Sequence, residues 1–198
     1  MKFLKKSSED EMIAVFLQTE INSLRFGNNL KKILQKFKVK KSIIKKPDIN
    51  NILENQLRKT IIADYRGYGK NKELFENFPK NIEWVWISLS KKELKKIKYI
   101  NYDYWIELSR GSRLAEDAVK NIRNGIEIFN KSNERFLNAA KSLIGGNKFP
   151  PMILVSKDKN SFIIVLEGHL RLTAYMLELK KTPSQIKAII GYSKDFIT

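Results

Sequence analysis

The five residues Glu167-Gly168-His169-Leu170-Arg171 bring an acid, a glycine, an imidazole and a guanidinium together in one short stretch. They follow Phe162-Ile163-Ile164-Val165-Leu166, an apolar, β-branched run that reads as a strand, and they precede a helical pattern that continues to about Lys180. Where a strand gives way at once to a helix, the first helical N–H groups have no internal partner and lie at the positive end of the helix dipole. Gly168 allows a main chain to come close to a ligand, and His169 and Arg171 add donors, so the junction has the parts of a phosphate cradle. Glu167, at the strand end, is placed to act as a general base or to help hold a Mg²⁺ that accompanies the phosphate. Glu167 and His169 are the catalytic candidates; Gly168, His169 and Arg171 are the phosphate- or nucleotide-binding ones. The competing reading is structural: Arg171 pairs with Glu167 or Glu178, Gly168 merely turns the chain, and the single histidine ends a helix.

A second basic turn, Ser109-Arg110-Gly111-Ser112-Arg113, has two hydroxyls and two guanidiniums around a glycine before another helix. Ser109, Arg110, Ser112 and Arg113 are therefore further phosphate-binding candidates. The alternative makes Ser112 an ordinary N-cap and leaves the arginines in solvent. No Walker loop, dinucleotide fingerprint, HExxH or Ser-His-Asp arrangement is present, and no metal site is assigned. With no cysteine, disulfides, thiolate metal sites and cysteine nucleophiles are excluded together.

The elements that must position these residues can be read from periodicity and punctuation. Ser8 with Glu11 is a capping-box pattern that opens a helix whose stripe includes Met12, Ile13, Phe16, Leu17, Ile21 and Leu24. A basic helix is expected near Leu30–Phe37. Another opens at Pro47-Asp48, with Ile49, Ile52, Leu53, Leu57 and Ile61 on one face and an end near Gly67. Residues 1–80 thus read as a helical, basic N-terminal region, and 81–198 as a domain of mixed character. In that domain Trp84–Leu89 reads as a buried strand with Trp84 and Trp86 in the core, Ser90–Glu93 as a second capping box, and Tyr102–Leu108 as strand or extended chain. Helices follow with Leu114, Ala118 and Ile122 on one side, and from Asn133 to Ile144. Met152–Ser156 and Phe162–Leu166 form a hairpin around Lys157-Asp158-Lys159-Asn160-Ser161, and Gln185–Ile190 is a last strand.

The chain has 198 residues, 42% of them apolar, so a core is affordable; no run of 18 apolar residues suggests a membrane span. The start, Met1-Lys2-Phe3-Leu4-Lys5-Lys6, lacks the apolar stretch of a secretory signal, and a cytoplasmic protein is expected. The net charge of +17 makes polyanions candidate partners, DNA among them, although lysine far outnumbers arginine and the lysine pairs read as scattered, solvated surface.

Leu166-Glu167-Gly168-His169-Leu170-Arg171-Leu172-Thr173-Ala174-Tyr175 resembles the signature segment of the ParB/sulfiredoxin superfamily, a Gly-x-x-Arg junction after a strand. The resemblance covers residues 149–192, and Tyr104–Arg113 followed by the Glu-Gly-His junction is similar to bacterial ParB-like proteins. It implies a ParB/sulfiredoxin-like C-terminal part and a nucleotide-phosphate site at Gly168, His169 and Arg171; the helical N-terminal extension lies outside it and is read from periodicity, so the expected fold class is α+β. The superfamily includes CTP-dependent DNA clamps, ATP-dependent sulfinic acid reductases, a free-serine kinase and proteins named as nucleases. This chain lacks the reductase's cysteine, and it has His169-Leu170 where the clamps carry an arginine pair. The kinase-like members, with an acid and a histidine near the phosphate, fit better. The expectation is a nucleotide- or phosphate-binding protein, as a phosphotransferase or nucleotide hydrolase with a Mg-nucleotide. The alternative is a non-enzymatic DNA-binding or regulatory module using the same junction. The residues leave open the nucleotide, the acceptor, any turnover and the oligomeric state.

Overall fold

The computed structural model describes residues 1–23 and 25–196; Leu24 of the expected first stripe lies outside the described residues. The chain begins with β1 (Lys2–Lys6), then α1 (Glu9–Glu20), α2 (Gly27–Lys36), α3 (Ser42–Lys45) and α4 (Ile52–Arg66). Next come β2 (Glu83–Leu89), α5 (Lys91–Leu94), β3 (Lys98–Tyr99), α6 (Asp103–Leu108), α7 (Ala115–Arg123) and α8 (Glu134–Ile144). The chain closes with β4 (Met152–Ser156), β5 (Ile164–Glu167), α9 (His169–Leu177) and β6 (Ile186–Tyr192). It is an α+β protein, and it divides into two compact units, Met1–Lys5 with Val85–Lys194, and Lys6–Trp84 with Asp195 and Phe196.

In the unit around Lys6–Trp84 helix α1 forms where its cap predicts. The Ser8 hydroxyl accepts from the Glu11 N–H at 3.1 Å, and Met12, Ile13, Phe16 and Leu17 are buried behind it. Asn51 caps α4 in the same way, by accepting from the Glu54 N–H at 3.1 Å. The face that α4 buries differs from the expected one. Ile52 and Leu53 are 70% and 76% exposed, whereas Asn55, Arg58, Ile61, Ile62 and Tyr65 are inside. The cause is Arg58, which is fully buried and held through both terminal nitrogens of its guanidinium. Its guanidinium donates to the Ile43 carbonyl (3.1 Å), the Asp48 carbonyl (2.7 Å), the Glu54 carboxylate (2.9 Å) and the Asn55 side chain. A buried cation is tolerated only with such partners, and this one ties α3 and the loop after it to α4.

In the other unit a six-stranded mixed sheet runs in the order β1-β2-β6-β4-β5-β3. β4 and β5 are the antiparallel hairpin expected between 152 and 166, with Leu154 opposite Val165. The Asp158 carboxylate holds the loop by accepting from the Asn160 and Ser161 N–H groups at 2.7 and 2.9 Å. β6 runs parallel to β4 and β3 parallel to β5, with Tyr99 beside Val165. Val85, Ile87 and Leu89 join Met152, Leu154, Val165, Ala188 and Ile190 in one core, against which α7, α8 and α9 pack. Trp84 and Trp86, expected in the core, point to the opposite face of β2 by the two-residue alternation of a strand. Trp84 is buried there, but Trp86 is half-buried with the Lys5 ammonium 5.9 Å from its ring.

Three further differences from the sequence reading have local causes. Residues 103–108, expected as strand or extended, form helix α6. The Ser109 hydroxyl donates back to the Trp105 carbonyl at 2.6 Å and the Gly111 N–H to the Ile106 carbonyl at 2.8 Å, closing a helical end that an aromatic-rich sequence does not advertise. β1 is a fully exposed edge strand whose lysines hide it from any hydrophobic pattern. α4 starts only at Ile52, because Asn51 rather than Asp48 is its cap.

Candidate functional site

β5 ends at Glu167, and α9 begins at His169; between them Gly168 has φ +113°. A β-carbon at Gly168 would lie 2.8 Å from the Arg171 guanidinium and 2.8 Å from Met152 Cγ. The space that glycine creates is thus filled by the chain itself. Arg171 folds back over Gly168 and forms a salt bridge with Glu167, four residues earlier at the end of β5. The two side chains are 8% and 15% exposed, so this pair is largely withdrawn from water.

The first turn of α9 has no side-chain cap and no acidic residue. Its second turn is braced instead: the Thr173 hydroxyl donates to the His169 carbonyl at 2.8 Å. The His169 ring lies nearly parallel to Trp105 of α6, with centroids 4.9 Å apart, and within 6.0 Å of Tyr99. Tyr99 and Trp105 stack at 4.3 Å. The Tyr99 ring is wholly buried, its hydroxyl is 2.7 Å from that of Thr173, and burial pushes its phenol pKa well above the ordinary value. β3 carries Tyr99 and lies beside β5, so the sheet register is what brings this ring under α9.

Tyr99 also receives the second basic turn. The Arg113 Nε donates to the Tyr99 carbonyl at 2.9 Å, and partial burial draws the guanidinium pKa down from its usual height. Arg113 and His169 are thereby brought onto one residue. The serines are placed differently. Ser109 is fully buried, donating to the Trp105 carbonyl and accepting from the Arg113 N–H at 2.8 Å. The Ser112 hydroxyl donates to the Ser109 carbonyl at 2.9 Å and accepts from the Leu114 N–H at 3.1 Å. Both hydroxyls hold the turn closed, which matters because Arg110, Gly111 and Arg113 all have positive φ (51°, 86° and 60°). Arg110 is exposed at its tip. The N-cap position of α7 falls to Leu114, without a side-chain bond.

Sequence reasoning passed over the aromatic part of this site. Tyr104 meets Trp105 edge to face at 5.1 Å, and Arg135 lies 4.9 Å from the Tyr104 ring and 4.6 Å from Phe136. Lys131 is 5.4 Å from Tyr104. The signal was there in the cluster Tyr102, Tyr104 and Trp105. Read with a two-residue period it gives alternating faces; on a helix it gathers around one end.

Among the described residues no group of three or more His, Cys, Asp or Glu side chains is assembled that could hold a metal ion. Glu167 is the one carboxylate at the junction, and Arg171 already occupies it. These residues do not fit a protein-built Mg²⁺ site. No helix among the described residues is long and apolar enough to cross a membrane. The sequence matches no family model, no curated protein and no solved structure.

Proposed function

We propose that this chain is a cytoplasmic, ParB/sulfiredoxin-like protein that binds a nucleotide or another phosphorylated ligand at the Glu167–Arg171 junction. The observation that carries the reading is the first turn of α9, a nine-residue helix with no side-chain cap and no acidic residue within that turn, the Glu167 carboxylate before it being held by Arg171. His169 of this turn is held flat against Trp105, and its ring is 6.0 Å from that of Tyr99, whose carbonyl accepts from Arg113. A phosphate at this turn takes the His169, Leu170 and Arg171 N–H groups and competes with Glu167 for the Arg171 guanidinium. Exchange of one oxyanion partner for another keeps the arginine charge-paired throughout, so its burial is no obstacle.

Thermal-shift titration with nucleoside mono-, di- and triphosphates and with inorganic phosphate tests the reading; a rise in Tm with at least one of them is expected. No shift with any of them at millimolar concentration refutes it. Glu167→Gln then separates catalyst from binder. If Glu167 takes a proton from an acceptor hydroxyl or water, the substitution lowers nucleotide consumption by about 100-fold with binding little changed. If the site only binds, the substitution releases Arg171 and anion affinity rises. Equal consumption by the two proteins removes Glu167 from any chemistry.

A further inference from the structure

The lysines of this chain are not scattered. From Arg25 to Lys46 there are nine Lys and Arg residues and not one Asp or Glu. This short stretch carries over half of the net charge of +17. Between Lys6 and Trp84, the residues outside it have seven cations against ten acids, so the surrounding helical unit is acidic. A lysine-rich composition alone enriches lysine everywhere; it does not clear acids from one segment while leaving them in excess around it.

The fold turns this segment outward. Leu30 and Leu34 anchor α2, and Ile43 and Ile44 anchor α3, all four buried. Lys32, Lys38, Lys40, Lys41, Lys45 and Lys46 are exposed, and none makes an ion pair among the described residues. Lys36 alone is matched, to Asp64 of α4 at 3.0 Å. The buried Arg58 grips the Ile43 and Asp48 carbonyls and so fixes the lysine-bearing turn from beneath.

We infer that the α2–α3 segment is a docking face for the phosphate backbone of a nucleic-acid duplex, bound without regard to sequence. Charge complementarity selects a polyanion. None of the large apolar side chains exposed in this protein falls between Arg25 and Lys46, which speaks against insertion into a lipid surface. Single strands are held by aromatic platforms, and Phe26 and Phe37 are half-buried, with cations over their rings. Lysine gives point charges rather than the bidentate forks that read base edges, so the contact is to phosphate and carries no sequence information. This face lies within the helical unit and does not depend on the junction at Glu167–Arg171.

The test compares the full chain with Lys38, Lys40, Lys41, Lys45 and Lys46 all changed to Gln, and with a control in which Lys92, Lys157, Lys159, Lys187 and Lys194 are changed to Gln. All ten are exposed, and both variants lose the same charge. Binding to a mixed-sequence DNA duplex, to the RNA duplex of the same sequence and to vesicles containing anionic lipid is followed from 50 to 200 mM salt. Wild type is expected to bind both duplexes with a steep salt dependence. The first variant should lose about ten-fold or more in affinity at the lowest salt, and its slope of log K on log salt should flatten by up to about 4, given a contribution near 0.9 per phosphate contact. The control should retain most of both. Equal losses in the two variants, no duplex complex at micromolar protein, or vesicle binding without duplex binding would each overturn the inference.

Discussion

Replacing Gly168 by alanine should destabilise the protein by about 2–5 kcal/mol, the sum of two separable costs. The first is conformational. At φ +113° a residue with a β-carbon is strained wherever its side chain goes, at a cost of about 1–2 kcal/mol. The second is steric. The new methyl would stand 2.8 Å from both Met152 Cγ and the Arg171 guanidinium, and overpacking of this kind costs about 1–3 kcal/mol. Met152 is a fully buried core residue on β4 and has little room to yield, whereas Arg171 can give way only by leaving Glu167. The two costs are told apart by a double-mutant cycle. In an Arg171→Ala background the guanidinium contact is gone, so Gly168→Ala should cost about 1 kcal/mol less than it does in wild type. Urea denaturation followed by far-ultraviolet circular dichroism measures all four proteins. A single-mutant cost below about 1 kcal/mol, or strict additivity in the cycle, would show that Arg171 does not fold over Gly168 as described.

Arg58→Met keeps the aliphatic bulk but removes every donor, leaving the Ile43 and Asp48 carbonyls and the Asn55 side chain without their partner. A loss of about 3–5 kcal/mol is expected by denaturation, and a neutral result would mean that the cation is dispensable. Burial raises the phenol pKa of Tyr65, Tyr68 and Tyr99 well above its ordinary value, and the carboxylates of Glu20 and Glu9 raise it further at the first two. The unfolded chain therefore ionises first: these tyrosines stabilise the fold fully below about pH 10, and that contribution is lost as pH rises beyond it. Absorbance at 295 nm should show them titrating only together with unfolding; early, reversible ionisation of all seven tyrosines would contradict their burial. At the junction, Arg171→Ala should weaken phosphate or nucleotide binding by about 1.5–3 kcal/mol and His169→Ala by less, read by calorimetry. Unchanged affinity in both would assign the motif to structure alone.

The parts of this fold that announce themselves in sequence are those in which local preference and tertiary role agree. The β4–β5 hairpin is one: β-branched runs flank a loop whose Asp158 folds the backbone around its own carboxylate. Helix α9 and the strand after it are others, bounded by Gly168 and Pro183. Agreement fails where a residue's chemistry is overruled by its partners. Arg58 sits where any pattern expects an apolar side chain, so the inner face of α4 is misassigned. The aromatic residues of α6 have strand-like preferences, but the Ser109 hydroxyl and the stack of Trp105 on Tyr99 hold them in a helix. Spacing alone singles out the junction as a candidate site. It does not show that Arg171 closes onto Glu167, since the same i,i+4 separation serves an ion pair and a ligand clamp equally well. Nor does it show that Ser109 is buried, because a serine that caps a turn and one that faces a ligand are the same letter.

The near-parallel arrangement of Trp105 and His169 makes the junction optically self-reporting. The His169 ring lies against the Trp105 indole with centroids 4.9 Å apart, so a ligand that displaces His169 should change Trp105 emission. Trp84 and Trp86, on the sheet face away from the α7–α9 core, contribute a background that phenylalanine substitutions at those two positions would remove. A protein simplified in this way should signal occupancy at the helix terminus by its own emission, with no dye attached and no turnover required.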